Sequence, residues 1–185
     1  MAPSSRRAAH RRRPRRRPAR PCRRCRPRRS ARPAWGTGAR EAPAQTTDAL
    51  VEVRVGRHDC YDRVVLDIAG AAEVGYVVSY VPVVTADGSG QPVPVAGSAA
   101  LQVVVRAPVQ GFDASGDPPV FGDDLYGESQ LAGWKSLRAI RFAGSFEGQS
   151  TIAIGVSAMV PFQVSSQLDP TNHTREMVLD IAHVG

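Results

Sequence analysis

The fold is decided by the stretch His58-Asp59-Cys60-Tyr61-Asp62-Arg63-Val64-Val65-Leu66-Asp67-Ile68. Its first residues are typical of a turn, and the residues after them alternate in character. Successive side chains of a strand point to opposite faces, so Val64, Leu66 and Ile68 share one face. Arg63, Val65 and Asp67 share the other. The stretch therefore predicts a turn that leads into a core β-strand.

The same alternation recurs in short runs after Ala49, with turn residues between the runs. No segment in this region shows the 3.6-residue period of a helix. Eight or nine short strands at this spacing predict an all-β fold, and we expect an antiparallel β-sandwich. The runs lie at residues 51–55, 62–68, 75–81, 92–95, 101–106, 136–142, 152–156, 161–168 and 176–184.

One short string occurs twice. Val65-Leu66-Asp67-Ile68-Ala69 returns as Val178-Leu179-Asp180-Ile181-Ala182. A duplicated half would produce this echo, and so would two strands with similar requirements. Because one short match does not establish a repeat, both explanations stay open.

Charge divides the chain of 185 residues in two. Residues 1–40 hold 16 arginines and no acidic residue, which leaves 8 basic against 17 acidic groups, a net charge of −9, in the remainder. Dense proline and mutually repelling arginines predict a disordered leader. Residues 36–48 look like a flexible linker. We therefore expect a leader and linker at residues 1–48 and a sandwich domain at residues 49–185.

The leader has three interpretations. It is an arm for nucleic acid or a membrane surface, a plain disordered extension, or the product of a wrongly assigned start. The last is favoured, because arginine and proline codons of a GC-rich gene, read in another frame, encode the apolar residues of a signal peptide. A true signal peptide would place the protein outside the cell or at the envelope. The sequence as written would place it in the cytoplasm. No run of about 18 apolar residues is present, so no transmembrane segment is expected.

The cysteines give no strong site. Cys22 and Cys25 have C-x-x-C spacing, but no second pair and no βαβ pattern accompany them. Half a set of ligands cannot hold a tetrahedral zinc ion. Cys60 stands alone in the folded part, where a small, partly buried apolar residue is the ordinary expectation.

The nearest approach to a catalytic cluster is His58, Asp59, Cys60 and Asp62. Cysteine–histidine catalysis needs the imidazole within hydrogen-bond reach of the sulfur. His58 and Cys60 lie two residues apart at a turn, where their side chains need not converge, so we interpret the cluster as a hairpin turn. We predict no catalytic residue, no cofactor site and no enzymatic activity.

Metal binding finds equally little support. His58 and His183 would form a metal pair only if the first and last strands brought them together. The acidic stretch 113–128 lacks the regular spacing of a calcium loop and is expected to be a solvated loop. We predict no metal site.

Four residues are named as possible ligand-facing positions. Arg63 lies on the presumed outer face, where a cross-strand ion pair is the ordinary expectation. Trp134 ends a long loop and is expected more as a core plug than as a ligand platform. The other two are Tyr80, in the third strand, and Asp87, in a glycine-rich turn.

Several motifs follow one another along the chain. They are Asp62-Arg63-Val64-Val65-Leu66-Asp67 after a histidine-containing turn, Gly75-Tyr76-Val77-Val78-Ser79-Tyr80-Val81, Asp87-Gly88-Ser89-Gly90, Leu101-Gln102-Val103 and the closing Asp169-Pro170 with Arg175 and Val178-Leu179-Asp180-Ile181-Ala182-His183. In this order and over residues 51–184, they resemble the actinobacterial AMIN-like domain.

The resemblance implies a non-catalytic β-sandwich similar to the AMIN modules that precede amidase domains in cell-wall hydrolases. It implies a cell-envelope module that binds peptidoglycan, another cell-wall glycan or an envelope protein through one face. The alternative is a nucleic-acid-associated protein that acts through the arginine arm at residues 1–40, whose binding would weaken steeply with salt.

Overall fold

A computed structural model describes residues 35–109 and 123–183. Within these ranges there are twelve strands and no helix. The predicted antiparallel β-sandwich is confirmed, with more strands than expected. The strands are β1 (Arg40–Ala42), β2 (Leu50–Arg57), β3 (Tyr61–Ile68), β4 (Tyr76–Val81), β5 (Val84–Thr85), β6 (Pro92–Val93), β7 (Ala99–Val105), β8 (Asp124–Tyr126), β9 (Leu137–Phe146), β10 (Gln149–Val156), β11 (Phe162–Asp169) and β12 (Thr174–Ala182).

The stretch that decides the fold becomes β3, one of two central strands in a four-stranded sheet ordered β11-β12-β3-β2. Val64, Leu66 and Ile68 are fully buried. They face the second sheet because the period of two in the sequence matches the pleat of the strand. Short hairpin connections join β2 to β3 and β11 to β12.

The repeated string has a structural explanation. β3 and β12 are antiparallel neighbours, and Val65 lies directly opposite Val178. From this central pair the two copies extend in opposite directions. Because side chains alternate between the two faces of a strand, each copy supplies a buried leucine to the core and an aspartate to the outer face. Two strands in equivalent central positions have the same packing requirements, which accounts for the echo with or without duplication.

The second sheet has six strands in the order β1-β4-β7-β10-β9-β8. The core lies between the two sheets. Its largest fully buried side chains come from both: Phe162, Leu50, Leu66, Ile68, Leu101, Leu137, Ile140, Ile152, Ile154, Met177, Leu179 and Ile181.

A third layer lies on the outer side of the six-stranded sheet. We call residues 82–98 the ribbon; it contains the paired strands β5 and β6. Val84 of the ribbon packs with Ala143 and Ala153 in a second, smaller apolar cluster. The approach is closest at Gly155, where an added Cβ would lie 1.8 Å from the carbonyl oxygen of Ala96. The small outward residues of β9 and β10 make room for the ribbon.

Three strands were not predicted: β1, β5 and β8. Each has only two or three residues, too few for an alternating pattern to appear in sequence. β1 lies in the expected linker at 36–48, where it pairs with β4, and Gly36 makes two backbone hydrogen bonds with Phe162. The described residues therefore contain about three more strands than the eight or nine expected, and the extra ones are the shortest. The leader, Cys22, Cys25 and residues 113–122 of the acidic stretch lie outside the described residues.

Candidate functional site

The outer face of the four-stranded sheet is mainly polar, with Val65 and Val178 opposite each other at its centre, and we call it the carboxylate face. The strand registers place an acidic residue at each of four outward positions on β2, β3 and β12, with arginines between them. Outward glutamines on β11 flank them. The face consists of Glu52, Arg54, Arg63, Asp67, Gln163, Gln167, Glu176 and Asp180.

Arg54 organises one half of this face. Its Nε and Nη2 both donate to the carboxylate of Asp67, and Nη2 also lies 2.7 Å from Oε1 of Glu176. Gln167 Nε2 donates to the other oxygen of Glu176 at 2.7 Å. The hydrogen bonds to Asp67, ahead of those to Glu176, raise the pKa of Arg54. The guanidinium is therefore fixed in place while 44% of its side chain stays exposed.

Arg63 organises the other half in the same way. Its Nε donates to Oδ1 of Asp180 at 2.6 Å, and its Nη2 donates to Oδ2 at 3.0 Å. Gln163 Nε2 adds a 2.9 Å bond to the same Oδ2. The bond to Asp180 raises the pKa of Arg63. The predicted cross-strand ion pair is confirmed.

A cluster of aromatic side chains borders the carboxylate face at the β2–β3 hairpin. The rings of His58 and Tyr61 are stacked 4.4 Å apart, and Trp35 approaches Tyr61 at 6.0 Å. The guanidinium of Arg63 lies 5.3 Å from the centre of the Tyr61 ring. Tyr61 is thus surrounded by three neighbours, so it is already packed and does not offer a free stacking surface.

The same end of the sandwich holds a buried junction around Asp62, which is 1% exposed. Its Oδ2 accepts hydrogen bonds from the backbone N–H groups of Ser136, at 2.7 Å, and Leu137, at 3.0 Å. Its Oδ1 lies 2.9 Å from Nε2 of His183. The carboxylate joins the start of β3, the start of β9 and the end of β12.

Serine, histidine and aspartate meet at this junction without forming a nucleophilic triad. The Ser136 hydroxyl is fully buried and donates to the carbonyl oxygen of Ala182 at 2.7 Å. The other ring nitrogen of His183, Nδ1, lies 3.2 Å from the carbonyl oxygen of Asp59. The base therefore faces the backbone and not the serine oxygen, so the geometry lacks the contact that activates a nucleophile.

The residues considered for metal binding are also engaged. His58 stacks on Tyr61 and His183 bonds to Asp62, although the fold does bring the first hairpin next to the last strand. Asp124 of the acidic stretch pairs with Arg141 at 2.7 Å. Within residues 35–109 and 123–183, no group of three or more His, Cys, Asp or Glu side chains is arranged to hold a metal ion.

Cys60 differs from expectation. It is disulfide-bonded, and not simply a small apolar residue. Its carbonyl oxygen accepts a hydrogen bond from the backbone N–H of His183, which ties the hairpin to the end of β12. A lone cysteine in a sequence does not show that it is oxidised, so this feature could not be predicted from the folded part alone.

The four residues named as possible ligand-facing positions do not converge. Arg63 lies on the carboxylate face. Tyr80 lies at the edge of the core, where its hydroxyl donates to the Val160 carbonyl at 2.8 Å and accepts from the Val160 N–H at 3.0 Å. Trp134 packs against the core, with the guanidinium of Arg57 4.7 Å above its ring.

Asp87 lies on the opposite side of the sandwich, at the ribbon. Its Oδ1 accepts a hydrogen bond from the Thr151 hydroxyl at 3.0 Å. Its Oδ2 is buried and, within the described residues, has no hydrogen-bond partner. Burial raises the pKa of Asp87, and the bond from Thr151 opposes that shift. A ligand-facing role for these four residues remains a prediction.

Sequence reasoning placed two members of the carboxylate face, Arg63 and Asp67, on the outer side of one strand, and it missed the others as a group. The signal available in the sequence was the set of polar residues that alternate with apolar ones along β2, β11 and β12. That signal does not show which strands are neighbours, and the face exists only because β12 pairs with both β11 and β3.

Comparison with known proteins adds one positive finding. Residues 48–183 match the model of the AMIN-like domain family. No curated protein and no solved structure gives a match. A search of the described residues finds no helix long and apolar enough to cross a membrane.

Proposed function

Because the chain belongs to the AMIN-like domain family, we propose that it is a non-enzymatic cell-envelope module that binds peptidoglycan or another cell-wall glycan through the carboxylate face. The family assignment points to a binding module associated with cell-wall amidases. The match covers residues 48–183, which include every member of the face.

The observation that carries this proposal is the difference between the two outer faces. The ribbon lies on the outer face of the six-stranded sheet, where it buries Ala143 and Ala153. On the four-stranded sheet the outward side chains hydrogen-bond to one another, and Glu52 and Gln167 are exposed. Of the two, the carboxylate face presents more groups that a polar polymer can reach.

The chemistry of the face suits a glycan. Sugar hydroxyl and amide groups need both donors and acceptors, and the face offers guanidinium, amide and carboxylate groups side by side. Each arginine is held by a bidentate bond to a carboxylate, so little side-chain entropy remains to be lost on binding.

The proposal that the module is not an enzyme rests on the Asp62 junction. The described serine, histidine and aspartate that come together are committed to holding three strands, and the serine hydroxyl is inaccessible. This supports a proposed function in binding, in which the catalytic step of any cell-wall hydrolysis would belong to another domain or protein.

A location outside the cytoplasm is part of the proposal. Disulfide bonds persist in oxidising compartments and are rare in the cytosol. The disulfide at Cys60 therefore supports an extracellular or envelope-associated protein.

The test is retention of the full chain on purified peptidoglycan under non-reducing conditions, which keep the Cys60 disulfide intact, and at about 0.5 M salt, where non-specific binding by exposed charges is screened. We expect clear retention that falls several-fold in the double variant Glu52→Ala, Gln167→Ala. The matched control is Glu147→Ala, because Glu147 is also exposed, on the β9–β10 hairpin at the other sheet. Equal retention of all three proteins, or none above an unrelated β-sandwich, would refute the proposal.

Two alternatives make different predictions. An envelope-protein ligand would leave peptidoglycan unbound but would still require Glu52 and Gln167 for capture of that protein. A nucleic-acid function through residues 1–40 predicts DNA binding that falls steeply with salt and disappears when those residues are removed.

A further inference from the structure

We propose that the outer edge of β11 is an interface with a second copy of this chain. In this interface the two β11 strands pair antiparallel and join the carboxylate faces of two molecules into one. The proposal rests on the backbone and side chains of β11, residues Phe162–Asp169. The pairing stands independently of what the carboxylate face binds. Only its consequence for a glycan, given below, rests on the proposed function.

One side of β11 has no neighbouring strand beyond its first residue. The N–H and C=O groups of Phe162 bond to Gly36 at 2.9 and 3.1 Å, on the side away from β12. Backbone groups of every second residue point the same way in an antiparallel strand, so those of Val164, Ser166 and Leu168 also point away from β12. They have no hydrogen-bond partner among the residues that the structure describes. The edge therefore presents a row of free donors and acceptors.

The other edges within the described ranges are protected, and this one is not. Edge strands that avoid pairing are covered, very short, charged or bulged. β2 is covered, because the Leu50 N–H donates to Pro108 and the Val53 carbonyl accepts from Tyr126. β1 and β8 have three residues each, and the ribbon strands have two. Residues 162–168 carry no charge and no proline, and their pairing with β12 has no bulge.

Ser166 points to a second copy as the partner. Its hydroxyl oxygen is buried and, in the described part of the chain, has no hydrogen-bond partner. A two-fold axis beside Ser166 places it directly opposite its own copy, with Cα atoms about 5.5 Å apart. Rotation about χ1 then lets one hydroxyl donate to the other, as serine and threonine pairs do across strands. A second copy always supplies the missing hydroxyl, whereas an unrelated strand supplies it only by chance.

The same register suits the apolar neighbours of Ser166. Leu168 is 41% exposed, and its side chain belongs to the same side of the sheet as the buried Val164. The two-fold axis places Leu168 opposite Val164 of the partner subunit. An exposed apolar side chain thereby gains an apolar neighbour.

Charge does not oppose the approach of the two copies. On the outer side of the sheet, the register places Gln163 opposite Asp169 of the partner subunit, and Gln167 opposite Ser165 of the partner subunit. An amide can donate to a carboxylate or a hydroxyl, and no like charges lie opposite each other. The edge of β11 is therefore self-complementary in backbone, shape and charge.

The pairing has a consequence for binding. Two four-stranded sheets become one sheet of eight strands, with the two carboxylate faces side by side. A polymer of repeating sugars would contact both faces, and the second contact forms at a high effective concentration. If the carboxylate face binds glycan, the dimer binds it more tightly than the monomer does.

Sedimentation equilibrium of the full chain tests the pairing. We expect a reversible dimer at about 200 µM and mostly monomer at about 2 µM, as a small interface gives. The dimer should dissociate in sodium dodecyl sulfate without reductant, because no covalent bond joins the copies. A chain that is monomeric at about 200 µM would overturn the proposal, as would a dimer that persists in the detergent.

Two variants test the edge. Ser166→Pro removes an outward N–H and places a ring in the way of the partner strand, without removing a bond to β12. Leu168→Lys adds a charge to the edge. Each should weaken dimerisation at least about tenfold, since either change is a recognised block to edge pairing.

The matched control is Phe146→Lys, which adds the same charge to an apolar residue that is 55% exposed at the other sheet. It should dimerise like the unchanged chain. Urea unfolding checks that each variant is folded, and Leu168→Lys keeps the test valid if Ser166→Pro is not. Equal dimerisation of Leu168→Lys and Phe146→Lys would overturn the assignment to β11.

Amide hydrogen exchange tests the position of the interface. The N–H groups of Val164, Ser166 and Leu168 should exchange several-fold more slowly at about 200 µM than at about 2 µM, because pairing protects them. The Met177 N–H, inside the sheet, is the control and should not respond to concentration. Equal rates for the three edge amides at both concentrations would overturn pairing through β11 even if the chain dimerises.

A peptidoglycan assay separates the pairing from the proposed function. If both hold, retention of Ser166→Pro is several-fold lower than that of the unchanged chain. If no sample is retained, only the glycan-binding function fails, because sedimentation and exchange use no ligand. If the chain is retained but stays monomeric, only the pairing fails.

Discussion

The outer face of the six-stranded sheet is covered by the ribbon, whereas the outer face of the four-stranded sheet is covered by its own long side chains. The first carries alanine and glycine at the contact, and the backbone of residues 95–97 lies directly against β10. The second carries arginines and carboxylates that satisfy one another. Small apolar outward residues require another layer of chain, while paired polar residues leave a face open to a partner.

The largest expected effect comes from separating the ribbon from its sheet. Gly155→Ala places a methyl group 1.8 Å from the Ala96 carbonyl oxygen, so the ribbon or β10 has to move. We expect the free energy of unfolding to fall by about 3 kcal/mol, measured by urea denaturation. Gly127→Ala is the control, because its nearest contact is the end of the flexible Gln130 side chain at 3.8 Å. Similar loss in both variants would mean that the close approach at Gly155 is not the cause.

The second-largest loss of stability is expected for a substitution on the carboxylate face. Arg63→Ala leaves the carboxylate of Asp180, 5% exposed, without its bidentate partner. A buried ion pair broken on one side costs several kcal/mol, but Arg63 is itself 31% exposed, so we expect about 2 kcal/mol. Thermal and urea unfolding provide the measurement. Arg106→Ala, which removes an exposed bond to the Pro43 carbonyl, should cost well under half as much. Equal costs would show that the ion pair contributes no more than a surface contact.

A smaller change, a rise in the free energy of unfolding, is expected for a substitution in the ribbon. Burial raises the pKa of Asp87, so the protonated acid is favoured in the folded state. At a pH below about 3.8, the pKa of Asp87 in the unfolded chain, the side chain is protonated in both states and burying it carries no charge penalty. The penalty is complete once the pH exceeds the higher pKa that Asp87 has in the folded protein. Asp87→Asn removes the cost of this charge and should therefore raise the urea midpoint at pH 7. Urea midpoints of both proteins from pH 3 to pH 7 should diverge as the pH rises. A constant difference would contradict the titration argument.

The smallest change in stability is expected for a substitution in the hairpin between β11 and β12. Asp169 accepts hydrogen bonds from the Thr171 N–H at 2.8 Å and the Asn172 side chain at 3.0 Å, and the Thr171 bond in particular lowers its pKa. A lowered pKa gives stability that is present above the unfolded value and is lost as the pH falls through the folded one. Asp169→Asn should lower the urea midpoint slightly at pH 7, and by less at pH 2. A larger effect at pH 2 would reverse the sign of this argument.

The sequence was informative where a pattern is local. The alternation in β2, β3, β4, β7 and β12 is long enough to be recognised, and each of these strands appears within a few residues of its predicted position. The ion pair at Arg63 followed from its place on the outer face, but its partner did not. Asp180 lies 117 residues away, and only the pairing of β3 with β12 brings the two together.

The Asp62 junction was beyond prediction for the same reason. The sequence placed Asp62 beside His58 and Cys60, which suggested a possible cluster among neighbours. The structure instead joins Asp62 to Ser136 and His183, which come from the loop before β9 and the end of β12. Contacts between distant residues depend on strand order, and strand order is not encoded in any short window.

By itself, the sequence determined the class of the fold and the family, because a period of two and the order of turn motifs are properties of neighbouring residues. Only the tertiary structure decided that residues 82–98 form a third layer, that Cys60 is disulfide-bonded and that four strands share one polar face. Those features depend on which distant segments meet. The same stretch, residues 58–68, thus supplies a core strand that the sequence predicts and one corner of a candidate binding face that only strand pairing assembles.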